Sequence, residues 1–100
     1  MSFADEVYRE LKKVPAGKVT TYKSLAQKVG SKAYRAVGQL MKNNPYAPEV
    51  PCHRVVRFDG QIGGFRGKTE GREILEKISL LSQEGVEVVE GKVDLIKFGV

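Results

Sequence analysis

Reactive side chains are scarce in this 100-residue chain, which has one cysteine, one histidine and no tryptophan. A single cysteine excludes an internal disulfide, and one cysteine plus one histidine cannot supply the roughly four ligands of a structural zinc site. No apolar run is long enough to cross a membrane, and the N-terminus lacks the basic and apolar segments of a secretory signal. We therefore expect a protein of a reducing compartment, the cytoplasm, that uses no metal and no other cofactor.

Length and charge limit the remaining classes of protein. One hundred residues correspond to one domain, so we assign residues 1–100 to it and leave the role of the tail after about residue 88 open. The apolar share of 41% is typical of a folded protein. The net charge of +5 favours a polyanion such as DNA or RNA as the partner. The alternative is an ordinary basic protein that binds no nucleic acid.

Hydrophobic spacing predicts three helices in the first half of the chain, over residues 3–14, 22–29 and 32–43, with Thr21 capping the second. Two short helices joined by a turn at Gly30 are typical of a helix-turn-helix, whose last helix is the recognition helix. The alternative is a helical hairpin with a solvated basic face. The candidate DNA-binding residues of the last helix are Lys32, Arg35, Ala36, Gly38 and Lys42. Cations meet phosphates there, and small residues permit close approach.

The second half of the chain has a different pattern. It predicts an extended segment over residues 50–58, a glycine-rich loop over 63–67, and a helix that Thr69 caps and that ends at Gln83. A hairpin is expected within residues 86–98, after Gly85 ends the helix. Four residues of the helix are expected to face the core: Ile74, Leu75, Ile78 and Leu81. The predicted fold is mostly α with short β elements, a winged helix-turn-helix with an active-site strand or loop and a C-terminal helix.

The segment Pro51–Val55 places the only cysteine and the only histidine beside an arginine. A thiolate is the reactive form of cysteine, and a nearby cation or base lowers the thiol pKa. Neighbouring side chains of a strand point to opposite faces. His53 can therefore assist Cys52 only if the chain bends, as Pro51 permits, or if a water bridges them. Glu84 is a candidate to orient His53; the alternatives are an inert buried thiol and a core or surface histidine.

The same segment resembles the active-site motif of the O6-alkylguanine-DNA alkyltransferases. Further matching segments are Gly17–Tyr22 with Leu25 and Ala26, Arg35–Gly38, Asn44–Pro45, Gly63–Gly67, and Lys77 with Leu80, Leu81, Glu84 and Gly85. The resemblance covers roughly residues 3 to 88. It implies that the partner is duplex DNA containing O6-alkylguanine, bound by a monomer, with excision-repair proteins as further candidate partners.

The resemblance also implies a role for each matching residue. Cys52 would accept the alkyl group irreversibly, and His53 would act as a base through a water, oriented by Glu84. Tyr22 would donate a hydrogen bond to the leaving guanine and crowd the neighbouring phosphate. Asn44 would fix the turn between the recognition helix and the active-site strand.

The resemblance further implies that the damaged nucleotide leaves the base stack, since its target atom is buried in the duplex. Arg35 would then fill the gap, and backbone groups near Cys52 and Val55 would bind the guanine edge. The substrate pocket would be formed by Pro51, Arg54, Val55, Gly63, Gly64, Phe65 and Arg66.

This sequence departs from the family pattern in three places. The family usually has an additional N-terminal domain, which this sequence does not show. Phe65 stands where tyrosine is common, and Arg66 stands where a small hydroxyl residue is common. The stretch between Gly67 and Lys77 is longer than usual, which leaves the start of the last helix uncertain.

Three other functions remain open at this point. Alkyltransferase-like proteins bind the lesion without removing it and pass it to excision repair, but they typically carry tryptophan where this chain has Cys52. A winged-helix regulator would show sequence preference and make no use of Cys52. A thiol hydrolase using Cys52 and His53 would turn over repeatedly.

Overall fold

The computed structural model describes residues 2–100, whose first half folds into three helices. They are α1 (Phe3–Lys12), α2 (Tyr22–Lys28) and α3 (Tyr34–Lys42), as predicted except for their ends. Thr21 caps α2 as expected, because its Oγ1 accepts a hydrogen bond from the Ser24 backbone N–H at 3.0 Å. The helix-turn-helix prediction is thus confirmed at the level of secondary structure.

The recognition helix α3 begins two residues later than expected. The Ser31 hydroxyl accepts a hydrogen bond from the Ala33 backbone N–H at 2.9 Å, which holds the preceding residues in a turn. Ala33 is the N-cap and offers no side-chain oxygen to the helix. Lys32 therefore lies in the turn before α3 and not on the helix, which corrects the predicted bounds.

The three helices share one core with the segment that follows them. Tyr8 ties α1 to α3 by donating a hydrogen bond from its hydroxyl to the Leu40 carbonyl oxygen at 2.9 Å. The fully buried residues of this core are Val7, Leu11, Leu25, Val37 and Val55. Their burial fixes the position of α3 relative to the chain around Cys52.

The segment predicted as extended bends at its start. Cys52–Arg54 forms one 3₁₀ turn, closed by a 2.9 Å hydrogen bond from the Arg54 N–H to the Pro51 carbonyl oxygen. Only the next two residues form a strand, β2 (Val55–Val56), which pairs in parallel with β1 (Thr20–Thr21). The turn supplies the departure from strand geometry that cooperation between Cys52 and His53 requires.

The long helix α4 (Arg72–Gln83) begins after Gly71, so the prediction that Thr69 caps it is wrong. Leu75 is 68% exposed, which also contradicts its predicted core position. The physical reason is helical spacing, because Ile74 sets the inner face and the residue three positions later on that face is Lys77. Lys77 is completely buried.

The chain after α4 forms a small second layer. Gly85 ends the helix with φ +88, and the Val86 N–H donates to the Leu81 carbonyl oxygen at 2.9 Å. Strands β3 (Val88–Val89) and β4 (Lys92–Val93) form the predicted antiparallel hairpin.

The last residues form helix α5 (Leu95–Phe98) instead of the expected strand, because the Asp94 carboxylate accepts from the Ile96 N–H at 3.0 Å and caps it. Phe98 packs into a second core under the hairpin. On either side of Gly99, Val19 donates to the Phe98 carbonyl oxygen at 2.9 Å and accepts from the Val100 N–H at 3.0 Å. The tail is therefore an integral part of the fold. No helix within residues 2–100 is long and apolar enough to cross a membrane.

Candidate active site

Cys52 begins the 3₁₀ turn and is 7% exposed. It borders a cavity of about 200 Å³ between the start of α2, the middle of α3 and the glycine-rich loop. The other residues around this cavity are Tyr22, Gly38, Met41, Lys42, Gly64, Phe65, Arg66, Gly67, Lys68 and Thr69. The thiol is thus shielded from bulk solvent but adjoins a space that a small group could enter.

His53 is buried and directs its ring at Glu84, with 3.0 Å between Nε2 and Oε1. Hydrogen bonds from Arg54 and His53 hold the pKa of the Glu84 carboxyl below its ordinary value, so the group is ionised at neutral pH. A carboxylate only accepts hydrogen bonds, so His53 Nε2 carries the ring proton and donates a hydrogen bond to Glu84. Nδ1 is then left as a hydrogen-bond acceptor. Burial lowers the pKa of His53, although the bond to Glu84 opposes that shift. The neutral imidazole is therefore available as a base.

Arg54 lies on the far side of the turn from the cavity, which corrects its prediction as a pocket residue. Its Nε and Nη2 donate to the two oxygens of Glu84 at 2.9 and 2.6 Å, and its Nη1 donates to the Val14 carbonyl oxygen at 2.8 Å. This forked contact fixes both carboxylate oxygens at once. Arg54 positions the group that orients His53.

Pro51 and Val55 also lie outside the cavity, which corrects two further pocket predictions. Both are buried, and Val55 is part of β2. The Val55 carbonyl oxygen accepts a hydrogen bond from Lys77 Nζ at 2.8 Å, and its N–H donates to the Cys52 carbonyl oxygen. The backbone of Val55 is therefore engaged within the protein.

Lys77 joins the active-site segment to the glycine-rich loop. Its ammonium group donates to the carbonyl oxygens of Val55 at 2.8 Å, of Gly64 at 3.0 Å, and of Ile62. Burial lowers the pKa of Lys77 to about 7, and the nearby Cys52 acts in the opposite direction. Three acceptors match the three N–H donors of an ammonium group. The sequence pattern showed Lys77 only as a family match and did not indicate this role.

Asn44 spans the turn between α3 and Cys52. Its Nδ2 donates to the Val50 carbonyl oxygen at 2.8 Å, and its Oδ1 accepts from the Tyr46 N–H at 2.9 Å. These contacts hold the chain that enters the active-site turn, which is the position expected for Asn44.

The glycine-rich loop forms the wall opposite Cys52. Phe65 is buried, and its backbone exchanges two hydrogen bonds with Lys68, at 2.8 and 3.0 Å. A Cβ on Gly64 would lie 2.9 Å from the Lys68 carbonyl oxygen, so only glycine fits there. Arg66 lies over the Phe65 ring, 5.1 Å from its centroid, and forms a 2.8 Å ion pair with Glu76.

Tyr22 separates this cavity from a wider groove of about 540 Å³, which it also lines together with Gly38 and Gly63. A Cβ built on Gly63, whose φ is +70, would lie 3.5 Å from the Tyr22 hydroxyl oxygen. Burial raises the pKa of Tyr22, and the proximity of Cys52 raises it further. The phenol is therefore protonated at neutral pH and able to donate a hydrogen bond.

The outer face of α3 carries Arg35 and Ala36, both exposed. A Cβ added to Gly38 would meet no atom within 4 Å, so the packing of the protein itself does not require glycine there. Its small size leaves room for an external partner. Lys42, the last residue of α3, is exposed and also borders the Cys52 cavity.

Sequence reasoning missed several residues around the groove. Tyr34 and Phe58 are 53% and 67% exposed, and both lie beside Arg57, near Tyr22. Aromatic residues among cations were a usable signal, because aromatic rings stack on bases while neighbouring cations bind the nucleic-acid backbone. Within residues 2–100, no group of three histidine, cysteine or acidic side chains is arranged to hold a metal ion.

The fold and the site together define a winged helix-turn-helix-type domain with one cysteine at a cavity beside its recognition helix. Residues 2–86 match the family model described as 6-O-methylguanine DNA methyltransferase, DNA binding domain. The chain belongs to this family, and the resemblance read from its motifs is confirmed.

Individual relatives agree with this assignment. The chain is 41% identical over 88 residues to the methylated-DNA–protein-cysteine methyltransferase of Saccharolobus solfataricus, covering 88% of this chain and 54% of the relative. It thus spans about half the length of that curated relative.

Two solved structures confirm the predicted fold class. S. pombe Atl1, in complex with damaged DNA containing O6-carboxymethylguanine, superimposes with a TM-score of 0.84 at 31% identity, over 96% of this chain and 92% of Atl1. The O6-methylguanine-DNA methyltransferase of Pyrococcus kodakaraensis gives a TM-score of 0.72 at 46% identity, over 86% and 47%.

Proposed function

We propose that this protein binds O6-alkylguanine in duplex DNA and transfers the alkyl group irreversibly to Cys52. The observation that carries the proposal is the position of Cys52, which borders a cavity and directly precedes a buried histidine bound to Glu84, which Arg54 in turn holds in place. A nucleophile, a base and a group that orients the base are the parts that such chemistry needs. A non-catalytic regulator has no use for this arrangement.

The reaction would be a single nucleophilic displacement at the alkyl carbon. The Cys52 thiol gives its proton to His53 Nδ1 through a bridging water, and the thiolate attacks the alkyl carbon. The carbon–oxygen bond breaks, its electron pair goes to the guanine oxygen, and the sulfur–carbon bond forms. Tyr22 donates a hydrogen bond to the leaving base, and the proton that Cys52 gave up passes from His53 through water to that base, which becomes normal guanine. A thioether has no route back, so each molecule acts once.

Access to the target would require base flipping. Arg35 is placed on the exposed face of α3, where its long side chain can fill the gap that the nucleotide leaves. Ala36 and Gly38 allow the helix to approach the groove closely, and Lys32 and other cations bind phosphates. Residues 1–100 would act as one binding and catalytic domain, in a reducing compartment such as the cytoplasm that keeps the thiol intact.

The second candidate is lesion binding without transfer, followed by recruitment of excision-repair proteins. The structural match to Atl1 favours it, because that match covers 96% of this chain and 92% of the Atl1 chain. The cysteine itself favours transfer, because a thiol is intrinsically nucleophilic.

Mass spectrometry after incubation with a duplex containing O6-methylguanine separates the two functions. Transfer predicts one added methyl group per protein molecule, located in the peptide that contains Cys52. The control is Cys52→Ser, which we expect to bind the damaged duplex and gain no mass. Tight binding by the unsubstituted protein with no change in mass would leave lesion binding as the function.

A further inference from the structure

Three cationic residues border the cavity beside Cys52, and no acidic residue does. They are Lys42, Arg66 and Lys68. Arg66 is already engaged, since it pairs with Glu76 at 2.8 Å and lies over the Phe65 ring. Lys42 and Lys68 have no carboxylate oxygen within 4.0 Å anywhere in residues 2–100. Two positive charges at the cavity therefore have no carboxylate partner in the part of the chain that the structure describes.

Lys42 is held at the cavity by its packing on the glycine-rich loop. A Cβ built on Gly67 would lie 2.9 Å from Cε of Lys42, 3.2 Å from Cγ and 3.4 Å from Cδ. The lysine stem thus lies flat against Gly67, which has no side chain. Gly67 has φ +79, which disfavours any other residue there as well. This contact keeps the Lys42 stem against the loop at the edge of the cavity.

Lys68 is placed by the backbone of the same loop. Its N–H and carbonyl oxygen form the two hydrogen bonds to Phe65, at 3.0 and 2.8 Å. These bonds fix the Lys68 backbone at the rim, beside the wall that Phe65 forms. Thr69 follows it along the rim and is uncharged. The rim thus combines a rigid aromatic wall with two unpaired cations.

We propose that this cavity prefers O6 substituents that end in an anion, and that Lys42 and Lys68 determine this preference. A methyl group would leave both cations unpaired beside the bound base, whereas a carboxylate would pair with them. The cations also assist the reaction itself, because a thiolate attacking the carbon next to a carboxylate brings two negative charges together. The proposal rests on the proposed function, since it specifies which O6-alkylguanines that site takes best.

The test compares three duplexes of one sequence, carrying O6-methylguanine, O6-carboxymethylguanine or O6-carbamoylmethylguanine. The last two have the same shape and differ in charge, so their ratio isolates the charge of the substituent. Affinity is measured with Cys52→Ser, which cannot transfer, and transfer rates are measured with the unsubstituted protein. We expect the carboxylate duplex to exceed the amide duplex about fivefold in affinity, in keeping with partly exposed ion pairs. The ratio should shrink as salt is added.

Variants assign the preference to particular residues. In Lys42→Gln and in Lys68→Gln, the ratio of the affinities for the carboxylate and amide duplexes should fall towards one. In the double variant the ratio should equal one, so that no preference is left. Lys12→Gln removes the same charge from α1, outside this cavity, and should leave the ratio unchanged. Using the ratio cancels any effect of these lysines on phosphate binding. Circular dichroism confirms that each variant is folded.

The outcomes also separate the two proposals. A ratio near one in the unsubstituted protein, with normal binding of O6-methylguanine, overturns the charge preference and leaves the proposed function intact. No preference for any damaged duplex over undamaged DNA overturns the proposed function itself. A ratio that survives the double lysine variant would assign the preference to other groups and contradict the role given to Lys42 and Lys68.

Discussion

The two sides of the Cys52–Arg54 turn differ in how completely their polar groups are paired. Behind the turn, His53 and Arg54 both bind Glu84 at 2.6–3.0 Å, and Arg54 also binds the Val14 carbonyl oxygen. In front of it lies a cavity bordered by glycines and by Lys42 and Lys68, which have no carboxylate partner in residues 2–100. The paired side fixes the chemistry, whereas the unpaired side is available for a ligand. Predictions that alter one side at a time test this division.

The largest effect is expected for Lys77→Met, because Lys77 joins the two sides. Its three acceptor carbonyls belong to β2 and to the glycine-rich loop, and all would lose their donor. Unsatisfied buried acceptors are costly, so we expect the free energy of unfolding to fall by about 3 kcal/mol. Urea denaturation measures this value. The exposed Lys28→Met is the matched control and should change it little, and equal losses in both variants would contradict the proposed link.

An intermediate effect is expected for Glu84→Gln, which alters only the paired side. Removing the carboxylate should slow transfer about tenfold, because the histidine loses the group that orients it. Protonated His53 cannot accept the thiol proton, so transfer should fail as the pH drops through the pKa of His53. Since Glu84 raises that pKa against burial, the acid limb of the variant should lie at lower pH.

Rates of single-turnover transfer between pH 5 and pH 8 test this shift. The exposed Glu87→Gln serves as the control for removing a carboxylate nearby. A variant that slows transfer without moving the acid limb would reduce Glu84 to a structural support.

The smallest effect is expected for Arg35→Ala, on the face that meets DNA. If Arg35 fills the gap in the stack, its loss should slow repair of duplex DNA about fivefold, a fraction of the unstacking cost. Repair of a single-stranded oligonucleotide, which has no gap, should not change. Arg9→Ala removes a cation from α1 and controls for charge. Equal losses on single and double strands would assign Arg35 to general electrostatic attraction.

Local patterns predicted those features that depend on local chemistry. Apolar spacing found the helices, and Thr21 and Gly85 were identified as helix ends because capping depends on a few neighbouring residues. The need for a bend at Pro51 followed from the geometry of strands, and the turn at Cys52 provides it.

Contacts between distant segments could not be predicted in the same way. A periodicity that counts only apolar residues placed Leu75 inside, whereas the inner face takes Lys77 because three carbonyl oxygens meet its ammonium group there. The direction of Arg54 depends on Glu84, thirty residues away. The contact of Lys42 with Gly67 arises only when α3 and the loop are brought together.

The C-terminal tail has a practical consequence for work on this protein. The Gly91 carbonyl oxygen binds the Ile62 N–H at 3.0 Å, next to the cavity wall, and Val100 binds Val19, just before the second helix. Cutting the chain after α4 would therefore remove the contacts that support the cavity wall and the start of the second helix, and would be expected to loosen the site.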